Sequence, residues 1–290
     1  MATRELADRS FLVTGASSGI GRSVLEELTA RGASVVVATR SEAKTRPLLD
    51  DLRRRHPGAD LLWLPLDLAD LRSVAKAADV FLQSGRPLHV LINNAGVAGA
   101  RGLTRDGFEV TVGTNHLGTF LLTERLLPRL HEAPAARVVN VASLAMRAVR
   151  GSIDWNHFFQ PSVSARDRYR RYGLSKLFNV MHARELAKRL QGSRVTAYSL
   201  HPGVIASDVW RELPRPIQAV MKLFMGTNRD GAEKVLHCAL APGLEKSSGS
   251  FFHHLKEHRP NPLAEDDALC AELYRRSEEL VAKALSAAAA

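Results

Sequence analysis

"SFLVTGASSGIGRSVLEELTARG", residues 10–32, decides the fold. "SFLVTG" (10–15) reads as a short buried strand, and further on Val24, Leu25 and Leu28 share one face of a helical pattern that Gly32 stops. Between them lies a turn with glycines at 15, 19 and 21. A strand, a glycine-rich turn and a helix in immediate succession make the first half of a βαβ unit. Such a turn lets backbone approach an anion closely and leaves the first helical N–H groups facing it, which suits a pyrophosphate. A glycine turn alone is equally an ordinary loop; its place between strand and helix favours the nucleotide reading.

The pattern repeats outward. "ASVVVATR" (33–40), "DLLWLPLD" (60–67), "LHVLINNAG" (88–96), "ARVVNVAS" (136–143) and "SRVTAYSLHPG" (193–203) read as strands apolar on both faces, as parallel strands covered by helices on both sides are. "ADLRSVAKAADVFLQSG" (69–85) repeats the amphipathic design with Leu71, Val74, Ala75, Ala78 and Leu82, and "SGSFFHH" (248–254) predicts a seventh strand. This alternation predicts right-handed crossovers and an α/β fold, a single doubly wound parallel sheet of about seven strands with helices on both faces. One domain over 1–290 is expected, with a substrate loop at about 144–168, a lid at about 204–228 and a C-terminal helix and tail at about 264–290.

Composition narrows the class. The chain of 290 residues is 45% hydrophobic and 24% charged, ordinary for a globular protein. Cys238 and Cys270 form no CxxC and no disulfide framework, which suits a reducing compartment, and a cytoplasmic location is expected. The N-terminus lacks an apolar h-region and no run of apolar residues is long enough to span a bilayer, so neither a signal peptide nor a transmembrane segment is expected. His253, His254 and His258 lie close together but lack matching carboxylate or thiolate spacing, so no metal is expected. The net charge of +10 permits anionic partners, yet the arginines are scattered and no RNA-binding motif appears. Nucleic acid is not an expected partner.

The end of the second strand speaks to the nucleotide. A site for NAD usually carries an acid about 20 residues beyond the glycines, to hold the ribose 2′-hydroxyl. Here Thr39, Arg40 and Ser41 occupy that place. A guanidinium pairs with a 2′-phosphate that a carboxylate would repel, and Arg22 adds charge nearby. Glu42, the one carboxylate close by, reads as a first-turn helix residue favoured by the dipole. NADP(H) is therefore expected over NAD(H).

Further motifs fall in order: "TGASSGIG" (14–21), "NNAG" (93–96), Asn115 in "NHLGTF", Ser143 in "VVNVAS", Tyr172 and Lys176 in "YGLSK", and "HPG" (201–203). Together they resemble the short-chain dehydrogenase/reductase family over roughly residues 10–254, and "NHLGTFLLT", "ARELAKRL" and "HPGV" resemble its retinol-dehydrogenase-like branch. The resemblance implies a Rossmann-type fold and hydride transfer between a nicotinamide and a small-molecule carbonyl or alcohol, with a lipophilic aldehyde, ketone or retinoid-like substrate. It implies Asn115, Ser143, Tyr172 and Lys176 as catalytic residues. Ser143 would hold the substrate oxygen, Tyr172 would exchange the proton, and Asn115 would support a water-linked path to Lys176. It also implies cofactor contacts from Gly15, Ser17, Ser18, Gly19, Ile20, Gly21 and Arg22, and from Arg40, Asp67 and Leu68. Asn94, Ala95, Gly96, Tyr172, Lys176, Pro202, Gly203 and Ser207 complete that set. The alternative reading is a catalytically quiet, nucleotide-bound signalling or scaffold protein, and the oligomeric state stays open between monomer and dimer.

Spacing separates two tyrosines. Lys176 follows Tyr172 by one helical turn, so both can face one cleft, and its charge, together with an oxidised nicotinamide, would favour the phenolate of a group that ordinarily titrates near pH 10. Tyr169 has Gly173 at the matching position. Ser175 is expected beside the pair, and Arg168, Arg170 and Arg171 are expected to face solvent. Trp155, Phe158 and Phe159 either line an apolar pocket or pin their loop to the sheet. Beyond Gly203, Ser207, Trp210, Leu213, Ile217, Val220, Met221 and Phe224 suggest a mobile lid with an apolar underside, with prolines at 214 and 216 dividing it. A membrane-touching or partner-touching face is the other reading of that stretch.

Overall fold

A computed structural model describes residues 4–203 and 226–287. Six parallel strands form in the expected order: β1 (Ser10–Thr14), β2 (Ser34–Thr39), β3 (Leu61–Pro65), β4 (Val90–Asn93), β5 (Ala136–Val141) and β6 (Val195–His201). With β7 (Phe251–His253) and β8 (Lys256–His258) they make one eight-stranded sheet in the order β3-β2-β1-β4-β5-β6-β7-β8. The chain direction of travel reverses beside β1, where β4 pairs in parallel through Phe11 with Val90 and Val13 with Ile92. In such sheets the crevice at that reversal is the usual ligand site.

The eighth strand exceeds the expected number. β7 and β8 pair antiparallel, joined by His254 and Leu255 at φ +51° and +62°. Two consecutive left-handed residues give the tight hairpin turn that matches strand twist. β8 is exposed throughout, so its Lys-Glu-His has no apolar alternation to reveal it. β3 also departs from the expectation of two apolar faces: it is the opposite sheet edge, and Leu62 is exposed.

Alternation along each strand supplies two cores. Phe11, Val13, Val35 and Val37 point to one face with Val24, Leu25 and Leu28 of α1 (Gly19–Ala30) and Leu48, Leu49 and Leu52 of α2 (Glu42–Arg55). Leu12, Val36 and Leu91 point to the other, against α3 (Leu71–Gln83), α4 (Gly118–Glu132) and α5 (Ala165–Arg189). On the first face α6 (Asn228–Leu240) packs beside α1, begun by a Thr227–Asp230 capping box. On the second face α7 (Asp267–Ala287) lies over α5 and α3. Among the described residues no helix is long and apolar enough to cross a membrane.

Candidate active site

The carboxyl ends of β1 and β4 are stitched together. Thr14 Oγ1 accepts from the amides of Asn94 and Ala95, each at 3.0 Å, and Asn94 Nδ2 donates to Thr14 O at 2.9 Å. This brings the glycine turn against "NNAG" so closely that only glycine fits. A Cβ on Gly21 would sit 2.5 Å from Asn94 Nδ2, and one on Gly15, at φ +69°, would sit 2.9 Å from Ala95 Cα. Ser18 begins α1 without a side-chain cap, so the leading N–H groups of the helix are not spent on a hydroxyl. That combination is a ready anion cradle.

Around it the nucleotide-side expectations take shape. Arg40 is exposed at the end of β2 and forms no ion pair among the described residues. Glu42 is bound to Arg46 one turn along α2, as a first-turn residue should be. Arg22 is half-exposed and pairs with Glu26 at 2.8 Å. Asp67 Oδ1 accepts from the Ala69 amide at 3.0 Å. Leu68 is buried, its carbonyl so close to Gly118 that a Cβ there would lie 2.3 Å away.

Asn115 sits in a π-helical turn, Gly113–Leu117, that leads into α4. A π turn inserts one residue and re-aims the side chains around it. The Asn115 amide clamps the backbone after Gly96: Oδ1 accepts from Val97 N at 2.7 Å and Nδ2 donates to Val97 O at 2.9 Å. Nδ2 also donates to Ser175 Oγ at 3.0 Å, and Ser175 Oγ donates to Tyr172 O at 2.8 Å. Asn115 is thus linked to the helix that carries the tyrosine.

Tyr172 and Lys176 face the same side of α5. Lys176 is buried, donates to Val141 O at 2.8 Å, and its Nζ stands 5.8 Å from the centre of the Tyr172 ring. Gly173 lets α5 approach the turn Leu144–Ala148, since a Cβ there would be 2.6 Å from Ala145 O. That contact sets the Tyr172 hydroxyl near Ser143, whose Oγ accepts from Ala145 N at 3.2 Å. Burial raises the Tyr172 pKa, the nearby Ser143 hydroxyl opposes that, and Tyr169 adds to the rise. Burial also lowers the Lys176 ammonium to about 8. Burial is the larger influence on Tyr172, and the phenol is held in its protonated form.

The arginines correct the sequence reading. Arg170 is exposed, but Arg168 and Arg171 are buried rather than solvent-facing. Arg171 interacts electrostatically with the buried Glu109, whose Oε2 accepts from Thr111 N at 2.9 Å and Val112 N at 2.8 Å. A buried cation was hidden by a partner far away in sequence. The aromatic alternatives also resolve. Phe158 stacks on Phe178 at 5.4 Å and on Trp155 at 6.2 Å, and its carbonyl accepts from Glu109 N at 2.7 Å, so these two rings pin the loop. Phe159, Val163 and Tyr169 stay exposed. The last residues of the expected substrate loop, from Ala165, already belong to α5.

Gly203, at φ +107°, follows β6, and Lys234 Nζ donates to Pro202 O at 3.1 Å. Ser207, Trp210, Leu213, Ile217, Val220, Met221, Phe224 and the lid they would form lie outside the described residues. Two contributors lie inside the quoted motifs without having been assigned a role: Thr14, which closes the β1–β4 crevice, and the Val141 carbonyl, which anchors Lys176. Gly173, directly after the tyrosine, was the one visible sign of the close approach to Ala145.

A family model described as short chain dehydrogenase matches residues 9–155. The chain belongs to the short-chain dehydrogenase family. Human retinol dehydrogenase 12 is 41% identical over 283 residues, covering 96% of this chain and 87% of that protein. Among solved structures, a protein from Escherichia coli CFT073 complexed with NADPH superposes with a TM-score of 0.67 at 22% identity, covering 86% of this chain and 97% of the other. The 3-ketoacyl-(acyl-carrier-protein) reductase of Brucella melitensis, complexed with NADH, superposes at 0.65 with 21% identity, covering 84% and 95%. Those two likenesses speak for the fold. As a short-chain dehydrogenase the protein is an oxidoreductase of alcohols and carbonyls that uses a nicotinamide cofactor. Its uncapped α1 and the glycine cradle beside Asn94 and Ala95 fit such a dinucleotide.

Proposed function

We propose that this short-chain dehydrogenase is a single-domain, NADP(H)-dependent oxidoreductase acting on a lipophilic aldehyde, ketone or retinoid-like alcohol. The observation that carries the reading is Tyr172 set beside Ser143, one helical turn before a buried Lys176. When bound, the nicotinamide supplies or accepts the hydride. The chain's own residues handle the oxygen. Ser143 Oγ and the Tyr172 hydroxyl lie near one another, so both would donate to a substrate carbonyl oxygen placed between them. During reduction Tyr172 gives its proton to that oxygen, and the buried Lys176 ammonium stabilises the phenolate left behind. During oxidation the same phenolate takes the alcohol proton. Asn115 holds Val97 and Ser175, and through Ser175 the Tyr172 backbone, so the proton donor keeps its place relative to Gly96.

Gly15, Ser17, Ser18, Gly19, Ile20 and Gly21 would hold the diphosphate, with Asp67, Leu68, Asn94, Ala95, Gly96, Pro202 and Gly203 lining the rest of the cofactor cleft. Arg40 and Arg22 would meet a 2′-phosphate. An exposed Arg40 without a competing carboxylate supports NADP(H), because the nearest acid, Glu42, is taken by Arg46. Phe159, Val163 and Tyr169 give the loop before the catalytic tyrosine an exposed apolar fringe, which supports a lipophilic substrate, as does the likeness to a protein named retinol dehydrogenase. Two buried, unbridged cysteines support a reducing, cytoplasmic setting. A panel of aliphatic aldehydes, ketones and retinal assayed with NADPH and with NADH tests the reading. It predicts higher kcat/KM with NADPH and with the more lipophilic substrates; a preference for NADH or for polar substrates contradicts it.

A further inference from the structure

One buried polar residue beside the site has no part in the mechanism above: His116, next to Asn115 in the π turn and 1% exposed. Its ring lies 5.2 Å from Phe178 of α5, 6.1 Å from Phe120 of α4 and 6.3 Å from Phe158 of the substrate loop. Its Nε2 lies 2.8 Å from Ser277 Oγ on α7, a contact between residues 161 positions apart.

The direction of that bond follows from the hydroxyl. Ser277 Oγ lies 2.8 Å from Leu273 O one turn earlier, and its single hydrogen goes there. The oxygen is left to accept, so His116 donates from Nε2 and Nδ1 carries no proton. Among the described residues Nδ1 has no hydrogen-bond partner, and burial keeps the ring neutral by pulling its pKa well below the usual value. Among the described residues the imidazole therefore makes one polar bond, and that bond leaves the active-site elements for the C-terminal helix.

Its consequence lies in the register of the turn. A π turn and an α turn differ by one residue, and a one-residue slip rotates a side chain by about 100° around the helix axis. The glycines on either side press on neighbours: a Cβ at Gly113 would sit 2.5 Å from Thr104 Cγ2, and one at Gly118 would meet Leu68 O. A tether on the adjacent residue fixes which register is kept. We propose that Ser277 is a positioning residue that, through His116, holds the π turn in the register aiming the Asn115 amide at Val97 and Ser175. The inference rests on the reading of Asn115 given above.

Ser277→Ala removes the acceptor of His116 together with the hydroxyl's own bond to Leu273 O, and alanine is the better helix former, so α7 itself is not weakened. The first measurement is hydrogen exchange at the Val97 amide, which Asn115 Oδ1 protects. Ser277→Ala is expected to speed it by about tenfold while β1 and β5 amides keep their wild-type rates. The second is kcat for NADPH-dependent reduction of decanal in the wild type, Ser277→Ala, Asn115→Ala and the double variant. Ser277→Ala is expected to lower kcat by about tenfold with KM unchanged, and to have no further effect once Asn115 is alanine. Unchanged Val97 exchange, or an equal loss of kcat in both backgrounds, overturns the proposal. Faster exchange with wild-type kcat in both single variants instead overturns the role given to Asn115, and the proposal with it.

Discussion

Lys176→Met should make the protein more stable and inactive. The ammonium is fully buried, and desolvation brings it from an ordinary 10.5 to about 8. Keeping it charged in the fold at neutral pH therefore costs about 3 kcal/mol. Methionine has a similar reach and no charge; it forfeits the bond to Val141 O, worth about 1 kcal/mol. The net gain is about 2 kcal/mol, or a Tm rise of about 3–5 °C at pH 7. The sign with pH is specific. In the fold the lysine loses its proton near pH 8, in the unfolded chain near 10.5. Between those values the unfolded state binds more protons, so wild-type stability rises with pH and the advantage of the variant shrinks. Cofactor-free thermal unfolding at several pH values between 7 and 10 reads both quantities. A variant less stable than wild type at pH 7, or an advantage constant up to pH 10, refutes the reasoning. Turnover in the variant should fall by at least about a hundredfold, since the phenolate loses its stabilising charge.

Two other substitutions probe separate links. Arg40→Glu places a carboxylate where a 2′-phosphate is expected; NADPH affinity by fluorescence titration should fall about tenfold with NADH little changed, and equal losses for both argue against that contact. Gly173→Ala forces a methyl to within 2.6 Å of Ala145 O and pushes α5 from the Ser143 turn. It should cost about 1–3 kcal/mol in denaturant unfolding and reduce kcat, whereas wild-type kcat would mean that this approach does not place Tyr172.

What could be read in advance was local. The glycine turn, the alternating strands and a tyrosine one helical turn from a lysine all lie within short windows, and their periodicity survives in the fold. What escaped depends on distant partners. Arg171 reads as a solvent residue until Glu109, on another element, is brought beside it. The π turn leaves no mark in composition, because one inserted residue changes neither polarity nor period enough to notice. β8 is short, polar and exposed, so edge pairing alone defines it. Phe158 could not be assigned as pocket or pin until its carbonyl was seen bonded to Glu109 N. The His116–Ser277 contact joins residues that no window contains.

The central claim is that Tyr172, set by Ser143 and Lys176, is the proton donor of an NADP(H)-dependent reaction. It is tested most directly by Tyr172→Phe, which removes one hydroxyl and leaves the ring. Steady-state reduction of a lipophilic aldehyde and NADPH binding by titration should be measured on the same preparation. The account predicts turnover lowered by at least about a thousandfold with NADPH affinity within about threefold of wild type. Turnover retained in the phenylalanine variant would contradict it.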